Sequence, residues 1–503
     1  MKTRTAALAF IISLGASGVF AQDWPQWRGA NRDAKAADFK APKTWPRELT
    51  QKWKVTVGEG VATPALAGDK LYVFSREQGS EVTRALNAAD GKELWQDKYE
   101  SLGASGAAQS FSGPRSSPAV ANGKVVTVGV RGMISCLDAA TGKKLWRKDE
   151  FNAYPGFHPS SSPMIVDGLA IAQLGGKDNG ALVAYDLATG EQKWKWSGPS
   201  PAYASPVLMT VGGSKLIVAQ TETKLVAVNA ADGKLVWESA AAPQGGGPGA
   251  GGGPGGGGGG GRGMGGGRDY KAATPIVDGQ TLFTAGRGVK AVKLEKDGDK
   301  MVATELWSNP DKSVQFNTPA LKNGMLYGIA GNNEVFCINA KDGKTAWAAP
   351  FPGSAPAASA PRAAADHVVF APAFAGLVQA DPPPAVPGRP AGQRIQGGSQ
   401  GAAPGEPGSP RRPGEPGRGG GGRGGGMGGG MGGGGFSSVV DAGSVLLALT
   451  PSAQLVVFEP SDQEFKQLAS YKVAAGQTHA YPVASGNRIF IKDKDSVTLW
   501  TVD

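Results

Sequence analysis

Asn87-Ala-Ala-Asp-Gly91-Lys-Glu-Leu-Trp95 is the first of five segments that share one internal spacing. It returns as Asp138-Ala-Ala-Thr-Gly142-Lys-Lys-Leu-Trp146 and Asp186-Leu-Ala-Thr-Gly190-Glu-Gln-Lys-Trp194. Two more copies are Asn229-Ala-Ala-Asp-Gly233-Lys-Leu-Val-Trp237 and Asn339-Ala-Lys-Asp-Gly343-Lys-Thr-Ala-Trp347, and a stretched sixth ends at Trp307. Asn or Asp opens a turn by bonding nearby backbone, and Gly four residues on accepts the left-handed conformation that closes it. Apolar alternation enters the turn (Ile134, Cys136; Leu225, Ala227) and leaves it toward the Trp, so each segment reads as a β-hairpin. An indole is too large for an exposed edge. Trp53, Trp95, Trp146, Trp194, Trp237, Trp307 and Trp347 are therefore expected to pack between neighbouring units.

Upstream of each hairpin stands Ser or Thr, then Pro, then a short apolar strand: Thr63-Pro64, Ser117-Pro118, Ser162-Pro163, Ser205-Pro206, Thr274-Pro275 and Thr318-Pro319. Weaker forms are Ala360-Pro361, Ser437-Ser438 and Tyr481-Pro482. A further apolar run follows, such as Lys70–Phe74 or Lys124–Val128, giving four strands per unit, A to D, with the hairpin joining C and D. The Trp spacings are 42, 51, 48, 43, 70 and 40, the longest containing a glycine-rich insert. Four short strands per forty-odd residues is the period of a β-propeller. A solenoid would need capped ends. Here His479–Trp500 offers strands A to C without a D, while Gln51–Val57 offers a lone D near the start, so one blade is expected to close from both ends. Eight blades are favoured within bounds of seven to nine, Ala360–Asp381 being the degenerate candidate for a ninth.

Lys2 and Arg4 precede an apolar stretch from Ala6 to Val19, and Val19-Phe20-Ala21 has small residues where a signal peptidase reads. Residues 1–21 are thus expected to be a cleaved secretory signal and 22–503 a single propeller domain in the periplasm or outside the cell. No cysteine near the cleavage point could take a lipid, and no other run is long and apolar enough to span a membrane. The net charge of +10 includes Lys2 and Arg4, two arginines in residues 243–268 and a surplus of four in 382–435, which leaves a nearly neutral body. That distribution argues against a nucleic-acid face. Cys136 and Cys337 occupy the same register of well-separated repeats, which predicts two buried free thiols.

The [Asn/Asp]-x-x-[Thr/Asp]-Gly-[Lys/Glu]-x-x-Trp segments resemble the tryptophan-docking motif of pyrroloquinoline-quinone (PQQ)-like propellers. Asp23-Trp-Pro-Gln-Trp-Arg-Gly-Ala-Asn-Arg-Asp33 resembles the opening of secreted bacterial PQQ-like repeat proteins. The likeness covers nearly all of residues 22–503 outside the inserts; it implies the fold and says little about function. Among such relatives, quinoprotein dehydrogenases hold the quinone with calcium on acidic and amide ligands and usually carry adjacent cysteines. This chain has no adjacent cysteines and no Cys-x-x-Cys-His for a haem. A more distant likeness is to the propeller subunit of the outer-membrane barrel assembly machinery, a binding scaffold, although no partner-binding residue can be carried over from it.

In up-and-down blades the D-to-A links and the B-to-C turns emerge on one face. That rule gathers Arg115, His158, Tyr203, Asn317 and His479 from links, and Arg131, Arg287 and Asn332 from turns, as candidate ligand-binding residues at the channel mouth. Taken singly, each is also an ordinary solvated loop residue. His158 and His479 have no third ligand at metal spacing, so no metal is expected. No nucleophile elbow or phosphate loop appears, and no catalytic residue is assigned. Residues 243–268 and 382–435 are rich in Gly, Pro and Arg, a composition that cannot bury enough surface to fold. Their arginine–glycine runs lack aromatics for stacking on a nucleic acid. The sequence therefore reads as a secreted, non-enzymatic scaffold that binds a protein, glycan or small ligand through one propeller face. A protein or cell-surface polymer is the expected partner and no cofactor is expected. The alternative is a divergent oxidoreductase using PQQ with calcium.

Overall fold

Each quoted hairpin joins the third and fourth strands of a four-stranded antiparallel sheet, and eight such sheets form the propeller. The computed structural model describes residues 24–239, 271–352 and 436–503. The chain divides into two units, Met1–Ala355 with Gly429–Asp503, and Pro356–Gly428. The second unit lies outside the described residues, as do residues 1–21, where a signal is expected, both inserts and the stretch Ala360–Asp381.

In blade one, strand A is Ala65–Ala67, B Lys70–Glu77, C Ser80–Asn87 and D Glu93–Glu100. The A strands of blades two to seven start at Ala119, Met164, Val207, Ile276, Ala320 and Ser438. Blade eight is built from both ends of the chain: Val483–Ser485, Arg488–Lys492 and Ser496–Thr501 are completed by Thr50–Thr56 as strand D. Gln51 faces Trp500 and Trp53 faces Leu499 in that register, so the expected closure is present. The ring has eight blades.

The turn chemistry is as the residues demand. The side-chain oxygen of Asn87 accepts the Ala89 N–H at 2.8 Å, and Asp138 does the same for Thr141 at 2.8 Å. Gly91 sits at φ +75°. A second constraint on this glycine was not legible in one repeat alone. A Cβ at Gly91 would stand 2.8 Å from the Trp53 indole, and one at Gly142 would stand 2.4 Å from Trp95. Each Trp lies on the hairpin of the following blade, and its indole N–H donates there: Trp53 to Ala88 O, Trp95 to Ala139 O, Trp146 to Leu187 O, Trp194 to Ala230 O and Trp307 to Ala340 O. Trp347 reaches Ser461 O, although blade seven carries no copy of the motif. Trp237 packs among Leu282, Val292 and Leu294 of blade five. Each of the six hydrogen-bonded dockings combines one such bond, about 1 kcal/mol net, with about 2 kcal/mol of apolar burial.

The Ser/Thr-Pro signature also acquires a purpose. Thr63 N–H donates to Ser117 Oγ (3.0 Å), Ser117 N–H to Ser162 Oγ (2.9 Å), and Ser162 N–H to Ser205 Oγ (2.9 Å). The series continues from Ser205 to Thr274, from Thr274 to Thr318, and from Tyr481 N–H back to Thr63. Proline after each Ser or Thr holds it extended, so every hydroxyl meets the next amide around the axis. Six such bonds, all running in one direction, tie the inner ends of the blades together.

Cys136 and Cys337 are buried and unbridged, and burial pushes both thiols up to about 12. Among the described residues no helix is long and apolar enough to cross a membrane.

Candidate functional site

The central channel is filled by the chain itself. Trp24 pairs with Leu66 toward the far end of strand A in blade one, and Pro25 O accepts the Val120 N–H from blade two. The segment then rises to the level of the hydroxyl ring, where the Trp27 indole N–H donates to Thr274 Oγ1 at 2.9 Å and packs edge-on against Tyr481. It returns along blade seven, where Ala34 and Ala36 bond the backbone of Asp441, and leaves beside Gly486. Arg28, Gly29, Arg32 and Ala34 all have positive φ, which coils this plug tightly.

Two arginines pin it. Arg28 is fully buried and donates to Thr318 O, Pro319 O, Arg32 O and the Tyr481 hydroxyl. Arg32, 3% exposed, donates to Pro206 O at 2.7 Å, to Ser162 O and Pro163 O, and to Gln26 Oε1. Burial pulls the Arg32 guanidinium down to about 9, so it stays protonated at neutral pH, held by carbonyl dipoles in place of a carboxylate. The opening motif was quoted in the sequence for its likeness alone; two arginines four residues apart beside two tryptophans were the available signal for this role.

Above the ring lies the mouth, and the eight predicted residues divide there. His158 is buried: its Nε2 accepts the Ser105 N–H at 3.0 Å, so the proton sits on Nδ1, which faces Val130 O at 3.0 Å. Its ring stacks on Tyr154 at 4.8 Å. Arg131 bonds the Tyr154 hydroxyl and lies 5.2 Å from that ring. Arg115 donates to Ala108 O and Phe111 O, both at 2.9 Å, clamping its own long link. Tyr203 accepts the Phe157 N–H and meets the Phe157 ring edge-on. His479 is wedged between Phe111 and Phe436, each 4.6 Å away, and Phe436 stacks on Phe316 at 4.2 Å. Asn317, buried under this layer, donates to Ile329 O at 2.8 Å. Arg287 and Asn332 stand exposed on B-to-C turns, where Asn332 accepts the Glu334 N–H.

Arg131, His158 and Tyr154 thus form one group, and Arg115, Phe111 and His479 a second. The rings of Phe111, Tyr154, Phe157, Phe316 and Phe436 were missed in the sequence; aromatics in links, outside any strand alternation, were the signal. Burial lowers His479 to about 4, with the Arg115 charge adding to the effect. His158 is lowered by burial too, against its bond to Val130 and together with the charges of Arg115 and Arg131. Arg115 is lowered to about 10, again by burial. Both histidines are neutral near pH 7.

On the opposite face an open cleft of about 700 Å³ lies between Trp45, Pro42, Glu459 and Leu468. Its indole already packs against Phe39 and Tyr471, so the cleft presents little unclaimed ring surface. None of the eight predicted residues lines it.

A family model described as outer membrane protein assembly factor BamB matches residues 78–250 and 259–382. The outer membrane protein assembly factor BamB of Shewanella oneidensis is 20% identical over 308 residues, covering 59% of this chain and 69% of its own length. A quinohemoprotein alcohol dehydrogenase of Comamonas testosteroni is 28% identical over 139 residues, which cover 27% of this chain and only 19% of that protein. The crystal structure of BamB from Moraxella catarrhalis superposes with a TM-score of 0.53 at 11% identity, over 90% of this chain and 97% of that one.

Proposed function

This chain belongs to the family of outer membrane protein assembly factor BamB, and from that premise we propose that it is a non-enzymatic scaffold that binds a protein through its D-to-A face. One observation carries the reading. The channel is occupied by Trp24–Ala36, so a partner must be met on a face, and the D-to-A face is where arginines and half-buried rings collect. The relatives named as assembly factors favour a protein over a glycan or a small ligand.

A calcium-held quinone fits the described residues poorly. Among them no three His, Cys, Asp or Glu side chains cluster as a metal-holding set. The carbonyls turned toward the channel from blades three, four and six already serve Arg28 and Arg32, whose positive charges oppose a second cation. The quinoprotein reading therefore stands second, and incubation with PQQ and calcium separates the two. Visible absorbance of a stoichiometric complex, with alcohol-dependent dye reduction, would reverse the order.

The binding face is tested by a photo-crosslinking residue placed in vivo at Asn332, exposed on a B-to-C turn, against the same residue at Lys466 on the opposite face. Protein adducts are expected at 332 and not at 466; adducts at both alike, or at neither, remove the assignment. Export is part of the proposal, with residues 1–21 removed, and amino-terminal sequencing of the native protein should begin near Gln22.

A further inference from the structure

Resting on the D-to-A face as the binding face, we infer that the mouth recognises an acidic polypeptide segment bearing aromatic side chains, its carboxylates taken by Arg131 and Arg115 and its rings by the aromatic layer. Six of the described arginines fall into three classes by partner. Arg84 meets Glu77 and Glu93, and Arg147 meets Asp97, each guanidinium largely buried and answered by carboxylates. Arg28 and Arg32 spend their donors on carbonyls inside the channel. Arg131 has neither. It rests on Tyr154, and its Nε is buried without a hydrogen-bond partner. Arg115 bonds only carbonyls of residues 108–113, and among the described residues neither arginine joins an ion pair.

The charges bearing on the two mouth histidines are likewise those of Arg115 and Arg131, with no carboxylate among them. Partly desolvated guanidiniums without a counter-charge favour an anion, and carboxylate–guanidinium bonds are about twice as strong as neutral ones. The flanking rings come from four inter-blade links, those after blades one, five, six and seven, with Tyr154 and Phe157 adding the link after blade two. A surface spread over so many links suits an extended chain better than one small ion.

Fluorescence anisotropy with a labelled peptide of repeating Asp-Phe-Gly-Ser tests this on the full chain. Controls carry Lys for Asp or Ala for Phe, and 1,3,5-benzenetricarboxylate serves as competitor. The acidic aromatic peptide is expected to bind, to weaken as salt rises, and to lose roughly tenfold in affinity in R131Q and again in R115Q. Should R115Q disturb its loop, R131Q decides. Equal binding of the Lys peptide, or unchanged affinity in R131Q, overturns the inference, as does a tricarboxylate that competes at concentrations below the peptide's own Kd. If no peptide binds while crosslinks at residue 332 persist, the scaffold reading stands and the acidic partner falls; if both fail, the face itself is wrong.

Discussion

The channel and its mouth are both lined with arginine, yet they use it oppositely. In the channel, Arg28 and Arg32 are almost wholly buried and their donors end on carbonyls of blades three, four and six, on the Tyr481 hydroxyl, and within the plug itself. At the mouth, Arg131 is half-buried, stacked on one ring, with an unanswered Nε. A buried cation surrounded by dipoles is spent on structure. A cation left between rings without a counter-charge keeps a donor set that a partner's carboxylate would answer under the proposed function. The contrast also explains why burial alone is a poor guide to function here: the most buried arginines are the least available.

Breaking the channel side should have the largest effect. Arg32→Ala strips four carbonyl and amide acceptors of their donor in a sealed space, and should cost about 3–5 kcal/mol in urea unfolding. Replacing Gly142 by Ala forces a side chain into a left-handed turn and against the Trp95 indole, with an expected loss of about 2–3 kcal/mol and a matching fall in Tm. Acid should sharpen the mouth. Because the folded His479 titrates near 4, its contribution is complete above pH 6.5 and is lost as pH falls toward 4. His479→Phe should flatten the thermal-stability profile in that window by about 1–2 kcal/mol relative to the parent chain. Ser162→Ala removes the hydroxyl that accepts the Ser117 N–H and should cost about 1 kcal/mol. Smallest of all, Arg131→Gln should change unfolding stability by no more than about 0.5 kcal/mol while weakening peptide binding roughly tenfold; a large loss of stability would move Arg131 to the structural class.

Much of this architecture could be read from the chain. The docking segments repeat with fixed spacing, so Trp95, Trp146 and Trp194 announced both the blades and their contacts, and the missing fourth strand after Trp500 pointed to Trp53. The Ser/Thr-Pro signature was visible, but not its bonds, because each hydroxyl's partner lies one blade away and leaves no trace within a unit. The plug was silent for a stronger reason. Arg28 meets Thr318 and Tyr481, 290 and 453 residues onward, and no periodicity connects such positions. The mouth lies between these cases. A topological rule collected Arg115, Arg131, His158 and His479, whereas Phe316 and Phe436 sit in links whose spacing obeys no pattern, so the layer that joins them was visible only in three dimensions.

The shared blade and the plug set an order of assembly. As the polypeptide leaves the ribosome, blades one to seven can close one after another, each from consecutive residues. Thr50–Thr56 must wait with an unpaired edge until Ser496–Thr501 has been synthesised, and Trp24–Ala36 must wait for carbonyls in blades three, four and six and for Tyr481. Both segments are made long before the partners that complete their sites, so the growing chain carries an unpaired strand edge and two unanswered arginines until blade eight is complete, the interval in which a chaperone would be most needed.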